Sequence, residues 1–174
     1  MNEKQQLLDA LRESRDALVS SLDGVSDAEA LWTPGPGQWS ILECVEHVAI
    51  AEPLLFRGVS RGKPITEPAP DDLTREERFR SGALDRSRKL TGPEPVQPHG
   101  RFASVSEAVA HFVAAREQTI AWVESCSEDL RSKSTMHPLF GRITCQECLA
   151  LLIGHPARHA AQIREIREKR HLAL

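Results

Sequence analysis

Leu7, Leu8, Leu11, Leu18 and Leu22 fall on one stripe of a 3.6-residue repeat and predict a first helix over about 3–22. A turn-rich stretch, Trp32–Trp39, follows. The second helix begins at Ser40, where Ser40 and Glu43 have capping-box spacing. It continues through Ile41, Leu42, Val45, Val48, Ala49, Leu54, Leu55 and Phe56, apolar on most sides, which predicts a largely buried helix. The third helix begins at Ser104, again with a capping-box partner at Glu107, and keeps its period through Val105, Ala108, Val109, Phe112, Val113, Ile120 and Val123. The fourth begins at Thr144, capped with Glu147, and runs to about Lys169. Leu151, Leu152, His155, His159, Ile163 and Ile166 lie on or near one face, and the basic last turn suits the negative end of the helix dipole.

Between Gly58 and about Gly100 the periodicity breaks up. Seven of the eleven prolines fall between Pro53 and Pro98. Leu73–Leu90 is charged and suits one or two short surface helices, but the stretch has too few apolar residues for its own core. It reads as a long crossover between helices 2 and 3. The strand signal is weak throughout, and no internal repeat is evident. The expectation is an all-α protein, a four-helix bundle forming a single domain over 1–174.

Composition narrows the function classes. A length of 174 residues suits one domain with a real core. A net charge of −3 carries no basic footprint for nucleic acid. No apolar run approaches the roughly 20 residues of a membrane span. The amino-terminal segment lacks the apolar core and cleavage site of a secretory signal. Cys44, Cys126, Cys145 and Cys148 then read as thiols rather than disulfides. These features together predict a cytoplasmic protein that binds neither nucleic acid nor membrane.

The candidate chemistry lies in three histidines. His155 and His159, four apart on a helix, place two imidazoles side by side, with Cβ atoms about 5–6 Å apart. His47, inside the buried second helix, can supply a third ring. A buried neutral ring needs a polar partner, and one transition metal can serve all three. Three protein ligands leave coordination positions open, as catalytic sites require. A lone histidine on an apolar face is more often a hydrogen-bonded core residue, so the weight rests on the combination.

Cys145 and Cys148 precede the pair in a pattern resembling a zinc finger. On a continuous helix, however, Cys148 lies about 10 Å along the axis from His155, too far for bonds of about 2.0–2.3 Å to one ion. A redox role for this CxxC at a helix start is a lesser alternative, since a helix N-terminus can lower a thiol pKa. Pro156 removes one helical hydrogen bond, to the Leu152 carbonyl, and permits a kink beside His155. Glu43 and Gln162 can lie on the ligand side of their helices as possible supporting groups that orient a ring or contact bound water. Each also has a plainer role, in capping or helix packing. Arg158 belongs at the rim. His99, His111, His137 and His171 read as ordinary residues.

The segment Gln38-Trp-Ser-Ile-Leu-Glu-Cys-Val-Glu-His47-Val-Ala resembles the second-helix signature of the DinB-like superfamily. His155-Pro-Ala-Arg-His159-Ala-Ala-Gln-Ile163 resembles its last-helix signature. The pieces at Leu31-Trp32 and at Arg88-Lys-Leu with the following Pro-Glu-Pro extend the likeness across the chain. Pro156 departs from the commoner family residue after the first ligand of the pair.

The resemblance implies up-down-down-up topology and the metal ligands His47, His155 and His159. It also implies a divalent ion such as nickel or zinc, a homodimer and a small-molecule substrate. Family activities chiefly transfer or isomerise with a low-molecular-weight thiol: bacillithiol, mycothiol or glutathione. An open metal can hold a thiol as thiolate or lower the pKa of bound water. The leading expectation is therefore transfer of a thiol to an electrophilic small molecule. A metal-dependent hydrolase is the alternative, and a non-catalytic metal- or ligand-binding sensor or stress protein stands as a second kind of function.

Overall fold

The computed structural model describes residues 2–66, 73–87 and 91–173. Four long helices carry the fold: α1 (Glu3–Ser20), α3 (Ile41–Ser60), α5 (Val105–Ser125) and α6 (Cys145–Leu172). Two shorter ones are α2 (Asp27–Leu31) and α4 (Leu73–Leu84). Cap chemistry sets most of the starts. Ser40 accepts the Glu43 N–H while the Glu43 carboxylate accepts the Ser40 N–H. Thr144 and Glu147 do the same for α6. At α5 the expected reciprocal box is only half formed: Ser104 accepts the Glu107 N–H, but the Glu107 carboxylate turns to the Ala103 N–H instead.

Side-chain contacts set the helix directions. Lys4 reaches the carbonyls of Glu124 and Cys126, so the start of α1 meets the end of α5. His47 meets His155 while the Leu55 carbonyl meets Cys148, so α3 runs against α6. Phe56 lies edge-on to Trp122 near the ends of both helices, so α3 and α5 are parallel. Arg167, late in α6, donates to the Ser21 carbonyl just past the end of α1, so these two are parallel as well. The result is up-down-down-up. The crossover between α3 and α5 is what allows two successive long helices to point the same way.

Two differences from the sequence reading concern short elements. α2 was not expected, although Ser26 and Glu29 carry the spacing that caps it. A small antiparallel sheet was not expected either. It comprises β1 (Lys63–Pro64), β2 (Lys133–His137) and β3 (Gly141–Thr144), in the order β1-β2-β3. Each strand is too short to show a clear two-residue alternation. Gly141, at φ +68°, turns the β2–β3 hairpin in a conformation that only glycine adopts without strain. α4, in contrast, matches the expected surface helix. The expected helical stretch beyond it, at Arg88–Leu90, lies outside the described residues.

The bundle interior has an apolar cluster towards each end. One includes Leu7, Leu11, Ile120, Leu149 and Leu152; the other includes Leu18, Val48, Ala49, Phe112 and Ile163. Between them sits a polar layer centred on Arg116, which has no exposed surface. Its guanidinium meets both Glu52 carboxylate oxygens at 2.7 and 2.8 Å. It also donates to the Leu11 carbonyl, the Ser14 hydroxyl and the Leu152 carbonyl at 2.9, 2.7 and 2.7 Å. All five guanidinium N–H donors are thus taken, and all four long helices are joined at one point. The Leu152 carbonyl is the one that Pro156 leaves without its helical N–H. α6 continues through Pro156, and Arg116 takes the freed acceptor.

Candidate metal centre

α6 presents His155 and His159 on one face, and antiparallel α3 brings His47 against them. The three rings form a nearly equilateral set, with centroids 4.7 to 4.9 Å apart. Nε2 of His47 lies 3.0 Å from Nε2 of His155. One nitrogen from each ring can be chosen so that all three lie within 4.8 Å of one another. A tetrahedral ion with nitrogen bonds of about 2.0–2.1 Å needs nitrogens roughly 3.3 Å apart, so small ring movements suffice. Among the described residues, no further histidine, cysteine or carboxylate joins this group.

The polar atoms of the rings are unequally served. Nδ1 of His47 donates to the Val96 carbonyl at 2.7 Å, which leaves the Nε2 lone pair directed at the other rings. Nδ1 of His155 and Nδ1 of His159 are buried with no hydrogen-bond partner. Unpartnered buried polar atoms are costly. Three imidazoles converging on one point with part of their polar surface unsatisfied is a donor set that fits a divalent cation. Trp39, just before α3, packs its ring 4.9 Å from His47 and 6.2 Å from His159, and closes one side.

Burial pulls the pKa of His47 below its ordinary value, offset in part by its bond to Val96. Burial, and then the neighbouring rings, hold His155 and His159 well below it. The rings are therefore neutral near pH 7, the form a metal needs. In the metal-free protein this also ties stability to pH. The unfolded chain, with histidine pKa about 6.5, takes up protons before the fold does. Stability is then full above about pH 6.5 and falls as pH drops towards the depressed folded values. The urea midpoint of chelator-treated protein should fall between pH 7 and pH 5, and a His155→Gln, His159→Gln variant should show a flatter profile. Parallel profiles for the two proteins would contradict this account.

The triad opens on a cavity of about 1540 Å³. Leu54, Leu55, Phe79, Met136, Phe140 and Leu151 give it an apolar wall, and Arg75, Arg78, Arg86, Arg158 and Lys169 add positive charge. Arg86 is held by both Glu165 oxygens at 2.7 Å and by Gln162 at 3.3 Å.

The expected supporting groups differ in placement. Gln162 does line the cavity, but it accepts from Arg86 and bonds no ring nitrogen. Glu43 is not at the triad: its carboxylate completes the α3 cap and borders a separate recess beside Gly35 and Gln38. Capping wins because the Ser40 N–H is at hand and otherwise unpaired. Arg158 lines the cavity as expected of a rim residue, and bonds the Asp85 carbonyl. His137, read as ordinary, stacks on Phe140 in the cavity wall, outside the ligand group.

Cys145 and Cys148 take no part in the triad. Their thiols lie near the Gly58 and Leu55 carbonyls. Burial pushes them up to about 11 and about 12, which weakens the redox alternative. Gly62 lies against Cys145 so closely that a Cβ there would run into its sulfur. Sequence reasoning missed Trp39, Arg86 and the Val96 carbonyl as parts of the site.

An up-down-down-up bundle with three histidines converging beside a cavity defines a class of helical proteins built around an open metal centre. The profile of the DinB superfamily matches residues 10–163, and the chain belongs to that superfamily. It is 29% identical over 161 residues to the uncharacterized protein YuaE of Bacillus subtilis strain 168, a match covering 90% of this chain and 94% of YuaE. Solved structures share the fold. YfiT of Bacillus subtilis, described as a probable metal-dependent hydrolase with an unusual four-helix bundle topology, superposes with a TM-score of 0.64 at 16% identity, over 98% of this chain and 90% of its own. A conserved protein of Enterococcus faecalis gives 0.66 at 18% identity, over 97% of both chains. The four-helix bundle protein TT2238 gives 0.60 at 22% identity, over 93% and 98%. No described helix is long and apolar enough to cross a membrane.

Proposed function

We propose that this chain is a divalent-metal-dependent enzyme acting on a small molecule in the cavity beside His47, His155 and His159, by transferring a low-molecular-weight thiol to an electrophile. The observation that carries the reading is a three-histidine set that faces a large, mostly apolar cavity. A closed fourth ligand would suit a structural role, and an enclosed site without a cavity would suit a sensor. A nickel or zinc ion held there supplies a positive charge that favours thiolate over thiol.

The chain's own residues supply the rest. The Val96 carbonyl fixes the His47 tautomer. Trp39 shields the rings from one side, and the Leu54–Leu55 wall accepts the apolar part of a substrate. Five basic side chains, Arg75, Arg78, Arg86, Arg158 and Lys169, line the cavity beside two acidic ones, Asp85 and Glu165, a surplus of positive charge that favours anionic ligands. The choice of thiol transfer over hydrolysis rests on the family resemblance. Hydrolysis remains the second reading because YfiT, similar in fold, is described in those terms.

The test is direct. Protein loaded with nickel or zinc is assayed for conjugation of glutathione, bacillithiol and mycothiol to an activated aryl halide, beside hydrolysis of activated esters. Conjugation that disappears in His159→Ala is expected. Ester hydrolysis without conjugation would favour the hydrolase, and neither activity with metal bound would favour a sensor.

A further inference from the structure

The crossover is fastened to α3 at two adjacent residues, and one of them is a metal-ligand candidate. His47 holds the Val96 carbonyl. Glu46 is 1% exposed, and its carboxylate accepts three successive backbone N–H groups: His99 at 2.7 Å, Gly100 at 3.1 Å and Arg101 at 3.2 Å. Gly100, at φ +72°, takes the left-handed conformation that lets these amides face one anion.

The span between the two fastenings is two residues, Gln97 and Pro98: Pro98 fixes its own φ, the Gln97 carbonyl accepts from the Arg101 guanidinium at 2.9 Å, and the Gln97 side chain donates to the Gly92 carbonyl at 2.5 Å. On the other side of Val96, Pro93 and Pro95 stiffen the short 3-10 turn that Val96 ends. Gly92 passes so near His47 that a Cβ there would sit 3.2 Å from ring Cε1 and 3.1 Å from a Val96 methyl. Displacing residues 99–101 therefore displaces the Val96 carbonyl. An imidazole whose Nδ1–H has lost its acceptor is free to rotate or change tautomer.

We propose that Glu46 is a positioning residue of the histidine centre, anchoring the 99–101 amides so that the Val96 carbonyl holds the His47 ring with Nε2 turned towards His155 and His159. The inference rests on the three-histidine metal reading for its consequence, but its first link can be read without any metal.

The test is Glu46→Gln, which keeps the size of the side chain but sets an amide NH2 among N–H donors. In metal-free protein carrying 15N-labelled histidine, wild-type His47 should show Nδ1–H alone, and the variant a mixture of tautomers. Zinc affinity, measured against a chromophoric chelator, should fall about 10–100-fold, the usual loss for a group supporting a metal ligand. Arg101→Ala removes the outer ion pair to Glu46 at 3.7 Å and the 2.9 Å bond from this side chain to the Gln97 carbonyl but keeps the Arg101 N–H, and both readings should shift less than in Glu46→Gln. Glu46→Asp, which keeps the charge but draws the carboxylate back by one methylene from the 99–101 amides, should shift the tautomer the same way and serves if Glu46→Gln does not fold.

A folded Glu46→Gln protein with wild-type tautomer would overturn the proposal, as would weakened zinc binding with the tautomer unchanged. If Glu46→Gln fails to fold, a wild-type tautomer in folded Glu46→Asp overturns it. A tautomer change in a protein that binds no zinc even as wild type would instead sink the metal reading and leave the positioning role standing.

Discussion

Replacing Arg116 with methionine is expected to destabilise the protein by about 3–5 kcal/mol, the range for removing one partner of a buried ion pair. Glu52, 1% exposed, would keep the Thr119 hydroxyl, at 3.1 Å, in place of the paired guanidinium. The loss should appear as a lower urea midpoint with the slope largely unchanged. Arg116→Met combined with Glu52→Leu should recover more than half of it, because a buried pair replaced by apolar groups of similar volume is often nearly neutral. Recovery should stop short of complete, since the Leu152 carbonyl then lacks the Arg116 donor. Adding Pro156→Ala restores a helical N–H to that carbonyl and should raise stability further. A single Arg116→Met change costing under about 1 kcal/mol, the scale of an exposed pair, would show that the polar layer contributes little.

The same layer marks the limit of what the chain discloses in one dimension. The long helices were legible because their starts carry side-chain caps and their apolar positions repeat locally; Ser40–Glu43 and Thr144–Glu147 are three residues apart. The histidine pair was legible for the same reason. Glu52 and Arg116 lie 64 residues apart, and each looks like an ordinary surface charge in its own window. A signal existed: Arg116 stands four residues from Phe112 and from Ile120, where the helical period calls for an apolar side chain, and Glu52 stands three after Ala49. Two opposite charges out of pattern on separate helices could have been paired.

Other parts of the site carried weaker marks. The acceptor on His47 is a backbone carbonyl, which every residue possesses. The β2–β3 hairpin supplies Met136, His137 and Phe140 to the cavity, but its strands are too short for alternation to declare them. Glu43 was legible as a cap and overread as a supporting group, because helical phase alone does not show which of two nearby partners a carboxylate takes.

His155→Ala should reduce zinc affinity by more than the roughly 10–100-fold lost with a supporting group, because it removes a donor atom rather than its orientation. The readout can be stability. Zinc at about a hundred times its Kd raises wild-type stability by about 2.7 kcal/mol through mass action, and the variant should gain almost none at the same concentration. Without metal the two proteins should differ far less. The His155 ring borders the cavity, so its loss opens no closed void; its Nδ1 has no hydrogen bond to lose, and its Nε2 gives up one contact, to His47 Nε2 at 3.0 Å. A large loss of stability in chelator with the zinc response intact would make His155 a packing residue. A zinc response abolished over an undiminished metal-free fold is the result that only a ligand gives, and it separates the two roles this histidine could have had when read from its helix alone.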